Sequence, residues 1–337
     1  MISIPAEVNQ ILRILEDSKT ICVTGHVLPD GDCVGSQLAL AYALKGIGKK
    51  VYCWNADEIP DKLVFLDPEG CMRKPRAGCS FDAVVSLDCA SFERLGPLGE
   101  KVANRKHFIN IDHHESNTRY ADINWVVGHA SSTGELIFQL MQWARWEVTP
   151  KIAACLFTAI STDTGSFQYR GTTPETFEMA GKLLEFGVDL EDVCEEVYQS
   201  YPIARIKLLR QVLNNFKLAE DNRIAYYWLK PSDYSRSGAE REDSEGLIDH
   251  IRAIAPVVVA VQFEEVSPEV IRVCMRSKNP NLDVSEVARL FGGGGHRGAS
   301  GATIQGTRLS VQRKVMRALR LALKEARKRK KSFQNGK

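Results

Sequence analysis

Three short apolar runs near the amino end of this chain each stop at a cluster of acids and histidines. TICVTG (20–25) runs into His26-Val27-Leu28-Pro29-Asp30-Gly31-Asp32. AVVSL (83–87) ends at Asp88, and FINI (108–111) ends at Asp112-His113-His114. An apolar run too short for a helix, without polar alternation, reads as a strand covered on both faces, the habit of parallel sheets. Between the runs, residues 34–47 repeat small and apolar residues at helical spacing, and 51–54 read as a further strand. Strands alternating with helices predict an α/β fold with a parallel sheet and flanking helices. Such sheets take ligands beyond the carboxyl ends of their strands, which is where the three polar clusters fall. A fourth acid, Asp163, is expected at the end of a helix over 150–162.

Further along, 174–218 reads as helical, and strand patterns return at 223–229, 256–264, 270–276 and 301–305, with a helix near 283–290. The expected organisation is a catalytic domain over 1–190, a helical linker over 191–220, a smaller α/β domain over 221–325 and a basic tail over 326–337 that frays into disorder. A length of 337 residues accommodates two ordinary domains. No stretch reaches the roughly 20 apolar residues of a membrane helix. The first 19 residues read as an amphipathic helix carrying acids, unlike a secretory signal. Nine scattered cysteines without a CxxC pair suit reduced thiols and a cytoplasmic protein; Cys33 and Cys89 read as packing residues beside the clusters. The net charge of +2 divides unevenly: residues 313–337 hold eleven Lys/Arg against Glu325, or +10, which leaves about −8 on residues 1–312. So acidic a body does not hold long nucleic acid by bulk attraction, but it suits divalent cations that in turn offset phosphate charge.

Each cluster has a plainer alternative. Asp30 and Asp32, one glycine apart behind His26, fit either a mixed imidazole and carboxylate set for a metal such as Mn²⁺ or an acidic turn capping the next helix. Asp88 alone is weak evidence. Paired His113 and His114 directly after a strand are uncommon, and the neighbouring Asp112 can fix a histidine tautomer; two surface histidines are the other reading. Asp163, in STDTG, fits a helix-terminal turn as well as a ligand.

The order and wording of HVLPDGDCVGS, LDCAS, IDHHESN, STDTG and FGGGGHRGASG resemble the DHH phosphoesterase superfamily over nearly the whole chain. The nearest likeness is to its oligoribonuclease branch, the nanoRNases that also dephosphorylate 3′-phosphoadenosine 5′-phosphate. The resemblance implies a DHH domain followed by a DHH-associated substrate-binding domain, and two divalent ions, Mn²⁺ foremost. It implies His26 and Asp30 on one ion, Asp32, His113 and Asp163 on the other, and Asp88 bridging them. Asp112 would act from behind the ligands, with His114 facing the phosphate. Implied substrates are RNA di- to pentanucleotides, cut to mononucleotides, and the bisphosphate, cut to AMP. Implied too is a homodimer, with no membrane partner.

The glycine-rich segment can turn backbone N–H groups of Gly293, Gly294 and Gly295 toward an anion, with His296, Arg297 and Ser300 adding side-chain donors; a flexible loop is the alternative. Arg276 and Ser277, at the end of the preceding strand, are weaker candidates for the same pocket. Metal ligands in one domain and an anchoring loop in the other would make the gap between them a ruler for substrate length. Thr133 and Gly134 could bring a helix N-terminus to a phosphate, or simply follow a serine N-cap. The basic tail reads as a solvated helix end or an RNA-attracting one. A linear-dinucleotide phosphodiesterase would use the same chemistry. A RecJ-like exonuclease fits the acidic body less well, and a pyrophosphatase fits the FGGGGHRGASG ending less well. A non-catalytic RNA- or nucleotide-binding protein would be expected to show a broken ligand set.

Overall fold

The computed structural model describes residues 4–335, with side chains through 327. The chain forms two compact units that divide between Ser200 and Tyr201. The first holds a sheet of β1 (Thr20–Thr24), β2 (Lys50–Trp54), β3 (Met72–Arg73), β4 (Phe81–Leu87), β5 (Arg105–Asp112) and β6 (Ile123–Val126). Their spatial order is β3-β2-β1-β4-β5-β6, and every pairing is parallel. The expected α/β architecture is therefore present. The order reverses between β1 and β4, and a crevice opens at such a reversal past the strands' carboxyl ends.

The helices of this unit are α1 (Ala6–Asp17), α2 (Gly31–Gly46), α3 (Leu98–Lys101), α4 (Thr133–Ala144), α5 (Pro150–Asp163), α6 (Pro174–Glu185) and α7 (Leu190–Cys194). Local chemistry sets the starts of those that matter for the site. Asp30 caps α2 by accepting the Cys33 N–H, Ser132 caps α4 by accepting the Glu135 N–H, and Thr149 caps α5 ahead of Pro150. Helix α1 buries Val8, Ile11, Leu12 and Leu15 along one face, as its amphipathic spacing predicts. Helix α2 is buried almost all round. Fully buried Val84, Val85 and Leu87 of β4 and Ile109 and Ile111 of β5 each contribute about 1.5–3 kcal/mol of burial and fix the strand ends.

The second unit holds α8 (Ile203–Asn215), β7 (Lys217–Ala219), β8 (Ile224–Leu229), α9 (Pro231–Ser237), α10 (Leu247–Arg252), β9 (Val259–Ser267), β10 (Val270–Ser277), α11 (Val284–Arg289), β11 (Gly294–His296), β12 (Ala299–Gln305) and α12 (Arg308–Asn335). Its sheet runs β11-β12-β10-β9-β8-β7, antiparallel except for β8 with β9. One face packs on α11 and α12, the other on α8 and α10. Helix α8, read as linker, buries Leu208 and Val212 in this second core. From 326 the backbone continues α12 to Asn335 where fraying was expected, since Lys and Arg are good helix formers favoured by the dipole near a C-terminus. Residues 336–337 of that tail lie outside the described residues.

Candidate metal centre

The ends of β1, β4 and β5 bring His26, Asp88, Asp112, His113 and His114 together, and the N-terminus of α2 adds Asp30 and Asp32. The C-terminus of α5 supplies Asp163. His26 sets Nδ1 against the Val27 carbonyl at 2.8 Å. Its Nε2 lies 3.4 Å from Asp88 Oδ2 and 3.8 Å from Asp30 Oδ1. His113 sets Nδ1 3.2 Å from the Ala130 carbonyl. Its Nε2 lies 3.3 Å from Asp163, 3.6 Å from Asp32 and 3.6 Å from Asp88 Oδ1. A carbonyl at Nδ1 fixes the ring and directs Nε2 toward the acids, the usual way in which a ligating histidine is supported.

Asp88 holds φ at 52°, a left-handed backbone that aspartate tolerates better than most residues but at some cost. Its Oδ2 faces His26, while its Oδ1 faces His113 and, at 3.5 Å, His114 Nδ1. Asp32 accepts the backbone N–H groups of Thr133 and Gly134 at 2.7 and 2.8 Å, and the Ser36 hydroxyl at 3.0 Å. Thus the N-terminus of α4, expected as a possible phosphate contact, is taken up by a carboxylate 101 residues away, while Ser132 caps the helix. Thr133 also donates its hydroxyl to Asp88 at 3.1 Å. Asp112, fully buried, accepts the His113 N–H, pairs with His114 Nδ1 at 2.8 Å and accepts the Asn117 amide at 2.5 Å.

Charge crowds this cavity. Burial, then Asp88, hold the Asp32 carboxyl well above its usual range despite His113 nearby. Burial pushes Asp163 up to about 6, with Asp88 and Asp30 adding to it. Burial alone would lower His113, but Asp163, Asp32, Asp88 and Asp112 around it push it up to about 10. Asp88 goes the other way: burial opposes ionisation, yet the contact with His26 and the charges of His114, His26 and His113 hold it below the carboxylate range. Carboxylates that raise one another's pKa this way are relieved by a cation among them. Mixed imidazole and carboxylate donors, with Nε2 and oxygen atoms converging, fit divalent ions of the first transition row. Asp32, His113 and Asp163 offer ligand atoms within 4.8 Å of one another, as do His26, Cys33 and Asp88. Burial raises the Cys33 thiol, and burial likewise pushes Cys89 up to about 11; both stay protonated at neutral pH, which suits packing better than ligation.

Close approach at two glycines sets the helices behind the acids. A Cβ on Gly35 of α2 would meet the Cys155 carbonyl of α5 at 2.4 Å, and one on Gly134 of α4 would meet the Ala159 side chain at 2.5 Å. Two further residues at the site, Asn117 and Arg94, were not singled out from the sequence, and Thr133 reads there as a possible phosphate contact and not as a partner of the acids. Asn117 links Asp112 to Asn110, whose Oδ1 it reaches at 2.7 Å. Thr133 joins two of the acids, and Arg94 sets Nη2 3.0 Å from His26 Nδ1. Asn117 lies within IDHHESN, so an unexplained amide there was the available signal; Arg94 gave none.

The second unit gathers its own candidates at one end of its sheet. Arg276 pairs with Ala299, and the Ser277 N–H donates to the Gly298 carbonyl at 2.8 Å. Arg297 donates to the Pro280 carbonyl at 3.2 Å and stays largely exposed, while the Ser300 hydroxyl donates to the His296 carbonyl at 2.6 Å. The glycine segment, expected as an anion-cradling loop, is partly a strand: Gly294–His296 pair with Ala299–Gly301 in a hairpin. Gly293 owes its lack of a side chain to that packing, since a Cβ there would sit 2.1 Å from the Gly301 carbonyl.

Comparison with known proteins follows the same division. Residues 20–160 match the DHH family N-terminal domain and residues 221–328 the DHHA1 domain. The chain is 35% identical over 326 residues, 95% of this chain and 94% of the other, to the bifunctional oligoribonuclease and PAP phosphatase NrnA of Thermus thermophilus. It is 28% identical to the protein of the same name from Bacillus subtilis, over 88% of this chain and 93% of that one. A solved exopolyphosphatase-related protein from Bacteroides fragilis superposes with a TM-score of 0.84 at 27% identity, covering 94% of this chain and 96% of that one. With both domains matched in order and a relative this similar over nearly its full length, the chain belongs to the DHH family of phosphoesterases.

Proposed function

We propose that this protein hydrolyses phosphoester bonds in very short RNAs, releasing mononucleotides, and removes the 3′-phosphate of 3′-phosphoadenosine 5′-phosphate, with two Mn²⁺ ions as cofactor. The observation that carries the reading is the division of Asp88, one oxygen toward His26 and the other toward His113. That arrangement suits a carboxylate shared by two ions: His26 and Asp30 would complete one set, and Asp32, His113 and Asp163 the other. The names of the Thermus and Bacillus relatives supply the substrate classes.

Divalent ions there supply Lewis acidity, which eases deprotonation of an attacking water and offsets charge on the phosphoryl oxygens. The chain's own residues do the positioning. Asp112, held by Asn117, fixes His114 through Nδ1; burial lowers the imidazole's pKa, but the contact with Asp112 and its charge raise it overall, which favours the protonated form that suits a phosphate oxygen. Thr133 and Gly134 hold Asp32 by backbone donation, so its oxygens do not reorganise during reaction. In the second unit, His296 and Arg297, with Gly293, Gly294, Gly295, Ser300, Arg276 and Ser277 around them, would bind the nucleotide. Nine free thiols favour a reducing, cytoplasmic setting, and no described helix is long and apolar enough to cross a membrane. A homodimer is carried over from the family and is checked by light scattering.

The test is Mn²⁺-dependent turnover of RNA di- to pentamers, a long RNA, the bisphosphate and pyrophosphate by wild type and Asp88→Asn. Asparagine is chosen because it tolerates the left-handed backbone at this position. Cleavage of the short RNAs and bisphosphate, lost by about 1,000-fold or more in the variant, is expected. Cleavage confined to long RNA or to pyrophosphate would move the protein to another branch of the family.

A further inference from the structure

The second unit carries a concavity that none of the roles above uses. Strand β7 covers β8 only from Ile224 to Tyr226, so the outer edge of β8 at 227–229 has no strand beside it among the described residues. A cavity of about 510 Å³ occupies this notch, between the end of α8 and the first turn of α12. Four cations, Lys217, Lys230, Arg236 and Arg308, line it against one carboxylate, Asp233. Arg236 engages that carboxylate at 2.5 Å, and Arg308 lies 3.8 Å from Glu265. Neither Lys217 nor Lys230 has a carboxylate within ion-pair distance among the described residues. In a chain whose first 312 residues sum to about −8, an excess of cations in a hollow is the exception, and low-dielectric walls concentrate its field.

Aromatic rings line the same hollow. Tyr226, Trp228 and Lys230 alternate with the buried residues of β8. Trp228 is stacked on Phe263 with ring centroids 4.9 Å apart at 17°, and its Nε1–H donates to Gln312 at 2.8 Å. The ring is thus held in place before any ligand arrives, which lowers the entropic cost of stacking a second ring on it. The volume lies within the range of small-molecule sites, roughly 300–1,000 Å³. The notch sits four strand spacings from β11, about 20 Å at the usual interval, so it is separate from the His296–Arg297 hairpin.

We propose that this notch binds a nucleoside phosphate, with the base against Trp228 and Tyr226 and the phosphate among Lys217, Lys230 and Arg308. Base–aromatic stacking beside cations is the general means of holding a single nucleotide without base preference. The ligand is either a free mononucleotide, the product class of the proposed reaction, or the phosphorylated end of a longer RNA. Its identity as a nucleotide, and not another aromatic anion, rests on the proposed function.

Equilibrium dialysis of the full-length, Mn²⁺-loaded protein tests it, with radiolabelled AMP and a cleavage-resistant 2′-O-methylated RNA carrying a 5′-phosphate as separate probes. The triple variant Lys217→Glu/Lys230→Glu/Arg308→Glu changes only exposed side chains and retains wild-type turnover of an RNA dinucleotide. It is expected to bind one AMP fewer per chain, or, where the site serves chain ends, to bind the RNA at least about tenfold more weakly. Trp228→Phe, a milder change, weakens the same binding while leaving the metal-dependent activity in place. Equal binding of both probes by wild type and triple variant overturns the proposal. A protein that turns over no short RNA yet loses AMP binding in the triple variant overturns the activity and leaves the notch standing.

Discussion

A lone buried acid in the second unit and a buried group of acids in the first make opposite use of carboxylates. Glu264, 2% exposed, lies between Arg241 Nε at 2.8 Å and Arg272 Nε at 2.9 Å and accepts the Tyr234 hydroxyl at 3.2 Å. Neither guanidinium Nε–H is aimed for a hydrogen bond, so the contacts act as charge pairing. That acid is neutralised by the chain itself. Asp32 and Asp88, 1% and 2% exposed, and Asp163 have only imidazoles as ion-pair partners among the described residues. An imidazole can give up its proton and offer the freed nitrogen as a ligand, whereas a guanidinium stays charged. A pocket of acids bounded by histidine can therefore exchange protons for a metal, while one closed by arginine cannot. The partner type, more than the number of acids, separates a structural cluster from a functional one.

The comparison breaks or sharpens in three places. The largest effect is expected from Glu264→Gln, which strands two guanidinium groups and should cost about 3 kcal/mol in urea denaturation while leaving metal content unchanged; a loss of bound metal would erase the contrast. Next comes Asp112→Asn, which keeps the shape but weakens the anchor of His114. Turnover should fall about 10- to 100-fold with metal stoichiometry retained, as read by steady-state kinetics and metal analysis. Smallest is Asp163→Asn in metal-free protein. Because burial raises the folded carboxyl to about 6, ionising it opposes folding, and stability falls as pH rises from the ordinary carboxylate range through that value. The amide lacks this loss, so the variant should gain about 1 kcal/mol above pH 6 and nothing below the usual carboxylate range, net of the lost His113 contact. Thermal melts across pH read it. A uniformly destabilised variant would mean that Asp163 is structural.

Strands β1, β2, β4 and β5 and the polar residues that follow β1, β4 and β5 were legible because each cluster is local: an apolar run followed at once by His26, Asp88 or Asp112. Contacts between distant segments were not legible. Nothing near residue 133 announces that its N–H donates to Asp32, and the short strand β6, four residues long, carries too little pattern to stand out. The glycines of 292–298 were ambiguous for a different reason. Absence of a side chain reads the same whether it admits a ligand or a neighbouring strand, and at Gly293 the neighbour is a strand. The notch beside β8 was invisible because it arises from the brevity of β7, a property of pairing and not of composition.

Gly35 sets α2 against the backbone of α5, and Gly134 sets α4 against the Ala159 methyl group of α5, and this bears on how such a protein can change over generations. At Gly35 there is no side chain to trim, so the spacing of Asp30 and Asp32 on α2 from Asp163 on α5 has no gradual setting: a single added methyl group is a collision. On the proposed division of roles, small inherited adjustments at that contact would be costly, and novelty in what the protein accepts would fall more readily on the second unit, where exposed lysines and arginines can change one at a time without touching the metal-binding residues.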